Sequence, residues 1–365
     1  MELILFEHMD LRMKKYKKVA FVVGTLHAGG IERSVTDWCI HLQKYTDWKP
    51  EVICILKRNG IFLKELEKYQ IPVHECSLSE NFFTFRFGKL LKDIHPKVIH
   101  SQVAFSMPRQ VIASILAGVK KIVFTQQNDY KNWDMPLANL RLRIYFRLFF
   151  PFIHHYTCVS QVVRDNLSRL TGISSDKFQI IPNGVNTDRF LPNSELKEAF
   201  RKKIGIGKST FLLGMVGRFS PQKGRLYLLE AIHKIPENID LHLVLVGTGE
   251  LSEELETFVE KKGLKKRVTF FGVTQDVQHV LPGLDAFILS SLWEGMPLAL
   301  LEAMACGLPV IGTEVAGTKE VIQHFMNGLL IPSGNAESIQ NAVLYLYEHP
   351  KEMQRLAFEA LGTAR

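Results

Sequence analysis

From Lys18 onward the chain alternates short β-branched, apolar runs with amphipathic stretches of helical period. Residues 19–23, 51–56, 71–76, 97–100, 121–125 and 155–159 read as buried strands, and helical patterns over 32–45, 62–69, 85–94, 108–117 and 161–170 supply the crossovers. Such alternation implies a parallel sheet covered by helices on both faces. A second series begins at Phe211, with strands expected over 211–216, 241–246, 268–271, 286–289, 310–313 and a short 328–331. Between the two series lie Ile181-Pro-Asn-Gly-Val185, a turn signal, and a polar, charged stretch through Lys208. The expected organisation is an N-terminal domain over 1–190, a linker over 191–208 and a C-terminal domain over 209–365. With 365 residues, 46% of them hydrophobic, the chain can bury two cores. Doubly wound sheets bind ligands just beyond the carboxyl ends of their strands, which directs attention to the loops there.

Charge changes this picture in one half only. The first 180 residues carry 26 Lys and Arg against 16 Asp and Glu, and the remainder 19 against 21, so the net +8 belongs to the first half. No helix-turn-helix, zinc-finger, RRM or KH signature accompanies the basic excess, so nucleic acid is not an expected partner. Residues 81–89 (NFFTFRFGK) and 141–150 (RLRIYFRLFF) interleave basic and aromatic side chains. Two readings stand open: contact with an anionic membrane surface, or core-facing helices whose Arg and Lys stems run along apolar surface. The first ten residues lack the basic and apolar regions of a secretory leader, and no run of about 18 apolar residues follows. The five cysteines are odd in number, widely spaced and mostly set in apolar runs, as reduced core thiols are. The expected location is the cytoplasm, with the inner face of the cell membrane suiting the basic-aromatic segments.

Chemistry concentrates in the second half. In Gly214-Met-Val-Gly-Arg-Phe-Ser-Pro-Gln-Lys-Gly224 a strand ends, a loop with two cations follows, and a helix begins. Arg218 and Lys223 can project past the strand end, where fixed positive charge stabilises a bound diphosphate and the charge of a departing one; Gly217 and Gly224 permit close backbone approach. Ordinary surface cations are the alternative. A second cluster spans Ser290 to Gly307: Glu294 precedes a helix opened by Pro297, and Glu302 sits inside it among Leu300, Leu301, Ala303 and Met304. A carboxylate in such surroundings needs a partner, either the vicinal hydroxyls of a ligand or a structural donor. The helix start and the amides of Glu294, Gly295 and Met296 favour phosphate or sugar oxygens nearby.

Glu294 and Glu302, with seven residues between them, resemble the E-x7-E motif of retaining glycosyltransferases of the GT-B fold, in particular glycosyltransferase family 4. The resemblance extends over nearly the whole chain through His27-Ala-Gly-Gly-Ile-Glu32, Ile181 to Val185, Gly217-Arg218, Lys223-Gly224, Val246-Gly-Thr-Gly-Glu250, Ser290 to Glu302 and Cys306-Gly-Leu-Pro-Val-Ile-Gly312. It implies an α/β architecture of two Rossmann-like doubly wound domains facing each other across a cleft. It further implies that Arg218 and Lys223 bind the donor diphosphate, Glu302 the ribose hydroxyls and Glu294 the transferred sugar, and that Leu298 and Ala299 add backbone contacts. Gly29 and Gly30 match the loop that approaches diphosphate and acceptor, and Gly247 and Val273 fall where backbone and loop shape recognise the base. The implied reaction moves a sugar from a nucleotide diphosphate donor, a UDP-sugar first and GDP-mannose next, to a glycan or lipid-linked glycan with retention of configuration.

One position departs from the family pattern. Where relatives carry a histidine after the fifth strand, this chain reads Gln126-Gln-Asn128, and Gln127 can hydrogen-bond a sugar hydroxyl without titrating near neutral pH. His27 is another candidate for contact with sugar or acceptor. No Asp-x-Asp and no His/Cys/Asp set with metal-ligand spacing occurs, so neither metal nor cofactor is expected. A pyridine-nucleotide oxidoreductase is disfavoured because neither the segment from Gly24 nor Gly247-Thr-Gly249 completes G-x-G-x-x-G. A non-catalytic nucleotide-sugar or glycan binding protein of the same fold is the remaining alternative.

Overall fold

A computed structural model describes residues 17–128 and 136–365, with the side chains of 136–139 excepted. The leader reading of residues 1–10 therefore lies outside the described residues. Thirteen described strands form two sheets. The first contains β1 (Lys17–Val23), β2 (Trp48–Cys54), β3 (Val73–Glu75), β4 (Val98–Ser101), β5 (Lys121–Gln126), β6 (His155–Cys158) and β7 (Phe178–Ile180), in the order β3-β2-β1-β4-β5-β6-β7. The second contains β8 (Phe211–Val216), β9 (Leu241–Val246), β10 (Val268–Gly272), β11 (Ala286–Leu289), β12 (Val310–Thr313) and β13 (Leu329–Ile331), in the order β10-β9-β8-β11-β12-β13. The first strand of each series lies centrally beside the fourth, and pairs β1/β4 and β8/β11 are parallel. Each sheet is thus doubly wound, with its switch point between those two strands.

The core explains why these runs became strands. Leu212, Leu213, Leu243, Val244, Leu245, Phe287, Ile288, Leu289, Val310 and Ile311 are wholly excluded from solvent, as a sheet covered on both faces requires. The segment 191–208 contains helix Ser194–Lys203, capped by Asn193 through its side chain to the Leu196 N–H at 2.9 Å. Arg201 on that helix is buried. It donates to the carbonyls of Gly283, Gly207 and Thr210 and pairs with Asp285, which also accepts from the Leu212 N–H on β8 at 2.8 Å. This segment is therefore fastened to the second sheet.

The described chain divides into two compact units. Residues 17–27, 31–125 and 141–157 make one; residues 28–30, 126–128, 136–140 and 158–365 make the other. All five cysteines are buried and free, and among the described residues no helix is long and apolar enough to cross a membrane.

A buried polar chain marks the carboxyl ends of β4 and β5. His100 Nε2 lies 2.7 Å from Thr125 Oγ1 and 3.1 Å from Gln102 Nε2, Thr125 lies 2.7 Å from Thr157 Oγ1, and the imidazole stacks on Trp38 with centroids 5.7 Å apart. Burial pushes the His100 pKa down to about 4, below the value of about 6.5 in an unfolded chain. The neutral ring thus contributes fully above pH 6.5, and its contribution is lost as pH falls through that window towards 4. We expect wild-type unfolding free energy to drop by about 3 kcal/mol more between pH 7 and pH 4 than that of His100→Asn, measured by urea denaturation. Parallel losses in the two proteins would remove the assignment.

Candidate active site

The second unit gathers most of the expected residues at its switch point. The loop after β8 passes through a turn, Pro221–Lys223, whose end is Gly224 at φ +58, a conformation that side chains with Cβ rarely adopt. A Cβ there would also lie 2.2 Å from the Ser290 carbonyl oxygen. The turn is therefore pressed against the end of β11. Ser290 Oγ fastens it by donating to the Lys223 carbonyl at 3.0 Å.

Lys223 Nζ forms an ion pair with Glu294 Oε1. Only 17% of the lysine side chain and 6% of the glutamate side chain remain exposed, so the pair stands largely outside the screening that weakens surface pairs. Ser291 Oγ donates to the same Oε1 at 2.6 Å, while Gln222 Nε2 donates to the Trp293 carbonyl at 2.9 Å and lies 3.4 Å from Glu294 Oε2. Loops from two adjacent central strands thus place one cation and one carboxylate in direct contact.

Glu294 leads into three closely stacked backbones. A Cβ at Gly295 would lie 1.9 Å from the Gln127 carbonyl oxygen, and a Cβ at Gly317 would lie 1.8 Å from that of Gly295. The Gly317 N–H donates to the Glu294 carbonyl at 3.3 Å. Asn183, from the Pro-Asn-Gly turn, donates through Nδ2 to the Met296 carbonyl at 3.0 Å and to Gln127 Oε1 at 3.4 Å, and its N–H meets Met296 Sδ at 3.2 Å. Gln127, Asn183, Gly295 and Met296 therefore form one cluster beside Glu294. Pro297 precedes helix Leu298–Ala305, and a Cβ at Gly30 would touch Leu298 Cδ1 at 3.3 Å. Ala299 and Glu302 ride on this helix, where Glu302 is 8% exposed. Burial, with the Glu302 carboxylate as the next cause, pushes the nearby Cys306 thiol up to about 12.

Other expected residues lie apart from the ion pair. The Arg218 side chain is 66% exposed, with Nη2 3.6 Å from Glu250 Oε2. Gly247, at φ +133, lets the Gly217 carbonyl approach to where a Cβ would be, 2.0 Å away. Val273 is 40% exposed beyond β10. Gly29 belongs with Gly30 to the second unit, whereas His27 is an exposed residue of the first. Gln222, Ser291, Gly317 and Arg225 were not singled out from sequence. Arg225 in particular is 1% exposed at the first position of helix Arg225–Lys234.

Comparison with known proteins gives concordant results. Residues 28–189 match the family described as Glycosyltransferase Family 4, and residues 197–361 that described as Glycosyl transferases group 1. The UDP-Gal:alpha-D-GlcNAc-diphosphoundecaprenol alpha-1,3-galactosyltransferase of Escherichia coli is 32% identical over 264 residues, 70% of this chain and 67% of that protein. The GDP-mannose-dependent alpha-(1-6)-phosphatidylinositol monomannoside mannosyltransferase of Mycobacterium tuberculosis is 28% identical over 242 residues, 63% of this chain and 61% of that one. The crystal structure of Anabaena HepE in complex with UDP and glucose matches with a TM-score of 0.84 at 22% identity, covering 95% of this chain and 94% of that one, a likeness of fold.

Proposed function

The chain belongs to the group 1, family 4 glycosyltransferases, and from that premise we propose a retaining, metal-independent enzyme. It moves a hexose-type sugar from a nucleotide diphosphate donor to a glycan or lipid-linked glycan acceptor in cell-surface polysaccharide synthesis. The observation that carries this reading is the Lys223–Glu294 pair, set by the loops after β8 and β11 at the switch point of the second sheet. In the proposed reaction the bond from the anomeric carbon to the diphosphate oxygen breaks while a bond to the acceptor hydroxyl oxygen forms on the same face. The acceptor proton passes to the departing phosphate oxygen, so no enzyme nucleophile is required. Lys223, joined by Arg218, stabilises the departing diphosphate, Glu294 orients the sugar, Glu302 accepts from the ribose diol, and Gln127 offers its amide to a sugar hydroxyl. Gly247 and Val273 border the base.

A UDP-sugar is the first donor to try, since the Escherichia coli relative is named for UDP-galactose and HepE binds UDP; GDP-mannose, named for the mycobacterial relative, is next. A thermal-shift screen of UDP, GDP, ADP and their sugars tests the donor, because a ligand that binds only the folded state raises Tm by mass action. The stabilising donor should then support transfer undiminished in EDTA, its charge being met by basic side chains. A screen in which none of these raises Tm would sink the reading, and activity abolished by EDTA would sink metal independence.

The acceptor side of the proposal includes a membrane surface. The side chains of residues 81–89 and 141–150 divide between core and solvent. Phe83, Phe87 and Phe146 are buried, while Phe82, Phe85, Ile144, Tyr145 and Leu148 are exposed beside Arg86, Lys89, Arg143 and Arg147. Helix Met107–Leu116 packs against helix Phe83–Ile94, with Gly88 against Ala113, and presents exposed Arg109, Ile112 and Leu116 at one-face spacing. Exposed apolar and cationic side chains together suit an anionic lipid surface at the inner face of the cell membrane. Co-sedimentation with phosphatidylglycerol liposomes that weakens with salt is expected; no binding at low salt would exclude the contact.

A further inference from the structure

Arg225 is the most deeply buried cation among the described residues of the second unit. A guanidinium withdrawn from water costs several kcal/mol (roughly) unless its donors are met. Here Nη1 donates to the Arg218 carbonyl at 2.5 Å and Nη2 to the Gly217 carbonyl at 2.6 Å, and the group lies 4.5 Å from the Phe219 ring centroid. Nε makes no hydrogen bond among the described residues. A Cβ at Gly217 would lie 3.4 Å from Lys223 Cε and 3.6 Å from Arg225 Nη2. The lysine stem and the buried guanidinium therefore flank the same glycine.

We propose that Arg225 is a positioning residue of the diphosphate site: its fork grips two successive loop carbonyls and thereby aims the Arg218 N–H, and its fixed charge supplements that of Lys223. The inference rests on the reading above that the donor diphosphate binds at the loop after β8. In a trans peptide the C=O and N–H point in opposite directions. Drawing the Gly217 carbonyl inward to Arg225 turns the Arg218 N–H away from the buried guanidinium, leaving it to donate to an anion. The Phe219 N–H, in the next peptide, is already held by the Thr248 carbonyl at 2.9 Å. Burial, opposed by the nearby Glu294 carboxylate, lowers the Arg225 pKa to about 9, so it stays charged at neutral pH. A lysine could supply the charge but not the planar two-carbonyl grip.

Calorimetric titration of inorganic pyrophosphate into wild type, Arg225→Met and Arg225→Lys tests this, with circular dichroism reporting the fold. The nucleoside of the preferred donor, titrated alongside, reports the rest of the donor pocket. We expect pyrophosphate affinity to fall at least tenfold in Arg225→Met and to be only partly restored in Arg225→Lys, with nucleoside affinity unchanged. In transfer assays kcat should fall while the acceptor KM holds. Wild-type pyrophosphate affinity in folded Arg225→Met overturns the proposal. Should that variant not fold, wild-type affinity in Arg225→Lys overturns the two-carbonyl grip. If wild type itself binds neither pyrophosphate nor any nucleoside diphosphate, the functional reading has failed instead.

Discussion

Lys223→Ala is expected to lower turnover several hundred-fold while the second unit stays folded. The backbone that carries Lys223 is secured without its side chain: the Ser290 hydroxyl holds its carbonyl, and the Lys223 N–H donates to the Ser220 carbonyl at 3.0 Å. What disappears is an ammonium group that, in the proposed reaction, stabilises the departing diphosphate. Removing one good donor of that kind costs about 3 to 4 kcal/mol of transition-state stabilisation, or roughly two to three powers of ten in rate. Stability should fall as well, because Glu294 would lose its ion-pair partner and keep the hydrogen bonds from Ser291 and Gln222 and the charge of Arg225, in a site where its side chain is 6% exposed. The double variant Lys223→Ala/Glu294→Gln isolates the stability effect, since a neutral amide should restore Tm; the rate effect is read from Lys223→Ala alone, because Glu294 is itself placed in the proposed site. Initial rates with the preferred donor, alongside Tm for each variant, supply the measurement. A folded Lys223→Ala protein turning over like wild type would take the lysine out of the chemistry.

The legible part of this fold is the part in which each residue's environment follows from its neighbours in sequence. Strands β8, β9, β11 and β12 begin and end where the apolar runs do, because runs such as Leu241–Val246 are buried on both faces and, His242 apart, wholly apolar. Strand β7 has three residues, Phe178–Ile180, one of them exposed, and gives periodicity nothing to register. Helix Pro136–Phe149 is harder still: its alternating Arg and aromatic residues suit a lipid-facing and a core-facing helix alike, and the structure divides the side chains between core and solvent.

The site shows the same division. Glu294, Lys223 and Glu302 announce themselves as charges among apolar residues or beside glycines; that Lys223 and Glu294 pair with each other is read from the fold. In sequence Arg225 is one more cation at the start of a helix, because only the fold reveals that the loop carbonyls it grips are turned inward. Arg218 is the converse. Its side chain stands exposed beside Glu250, while its carbonyl is the atom the interior uses. Sequence spacing reports which groups share a loop, but not which end of a residue the loop presents.

Gly317 lies furthest from anything local sequence could mark, and Gly317→Ala carries the second large expected effect. The glycine is the second residue of a short helix, Ala316–Val321, and the added methyl carbon would lie 1.8 Å from the Gly295 carbonyl oxygen, 2.3 Å from its carbon and 2.8 Å from the Met296 nitrogen. All three are backbone atoms, so no rotamer change relieves the overlap, and segment 294–296 must move by about 1 Å or more to reach van der Waals distance. It cannot move toward residue 127, where the Gln127 carbonyl already occupies the Cβ position of Gly295. The displacement therefore strains the Glu294 carbonyl bond to the Gly317 N–H and both contacts from Asn183 to Met296, and it shifts the carboxylate that meets Lys223. A misplacement of that size in a reacting constellation costs about a hundredfold in rate, against an overpacking cost of about 1 to 3 kcal/mol in stability. Gly362→Ala is the matched control. It sits in helix Pro350–Ala364 with nothing within 4 Å of its added carbon, and alanine there should stabilise by up to about 1 kcal/mol without touching the rate. Tm and kcat/KM for the two alanine variants decide the matter: Gly317→Ala should lose both, and unchanged values for both would show that the backbones at residues 127, 295 and 317 are not stacked as described.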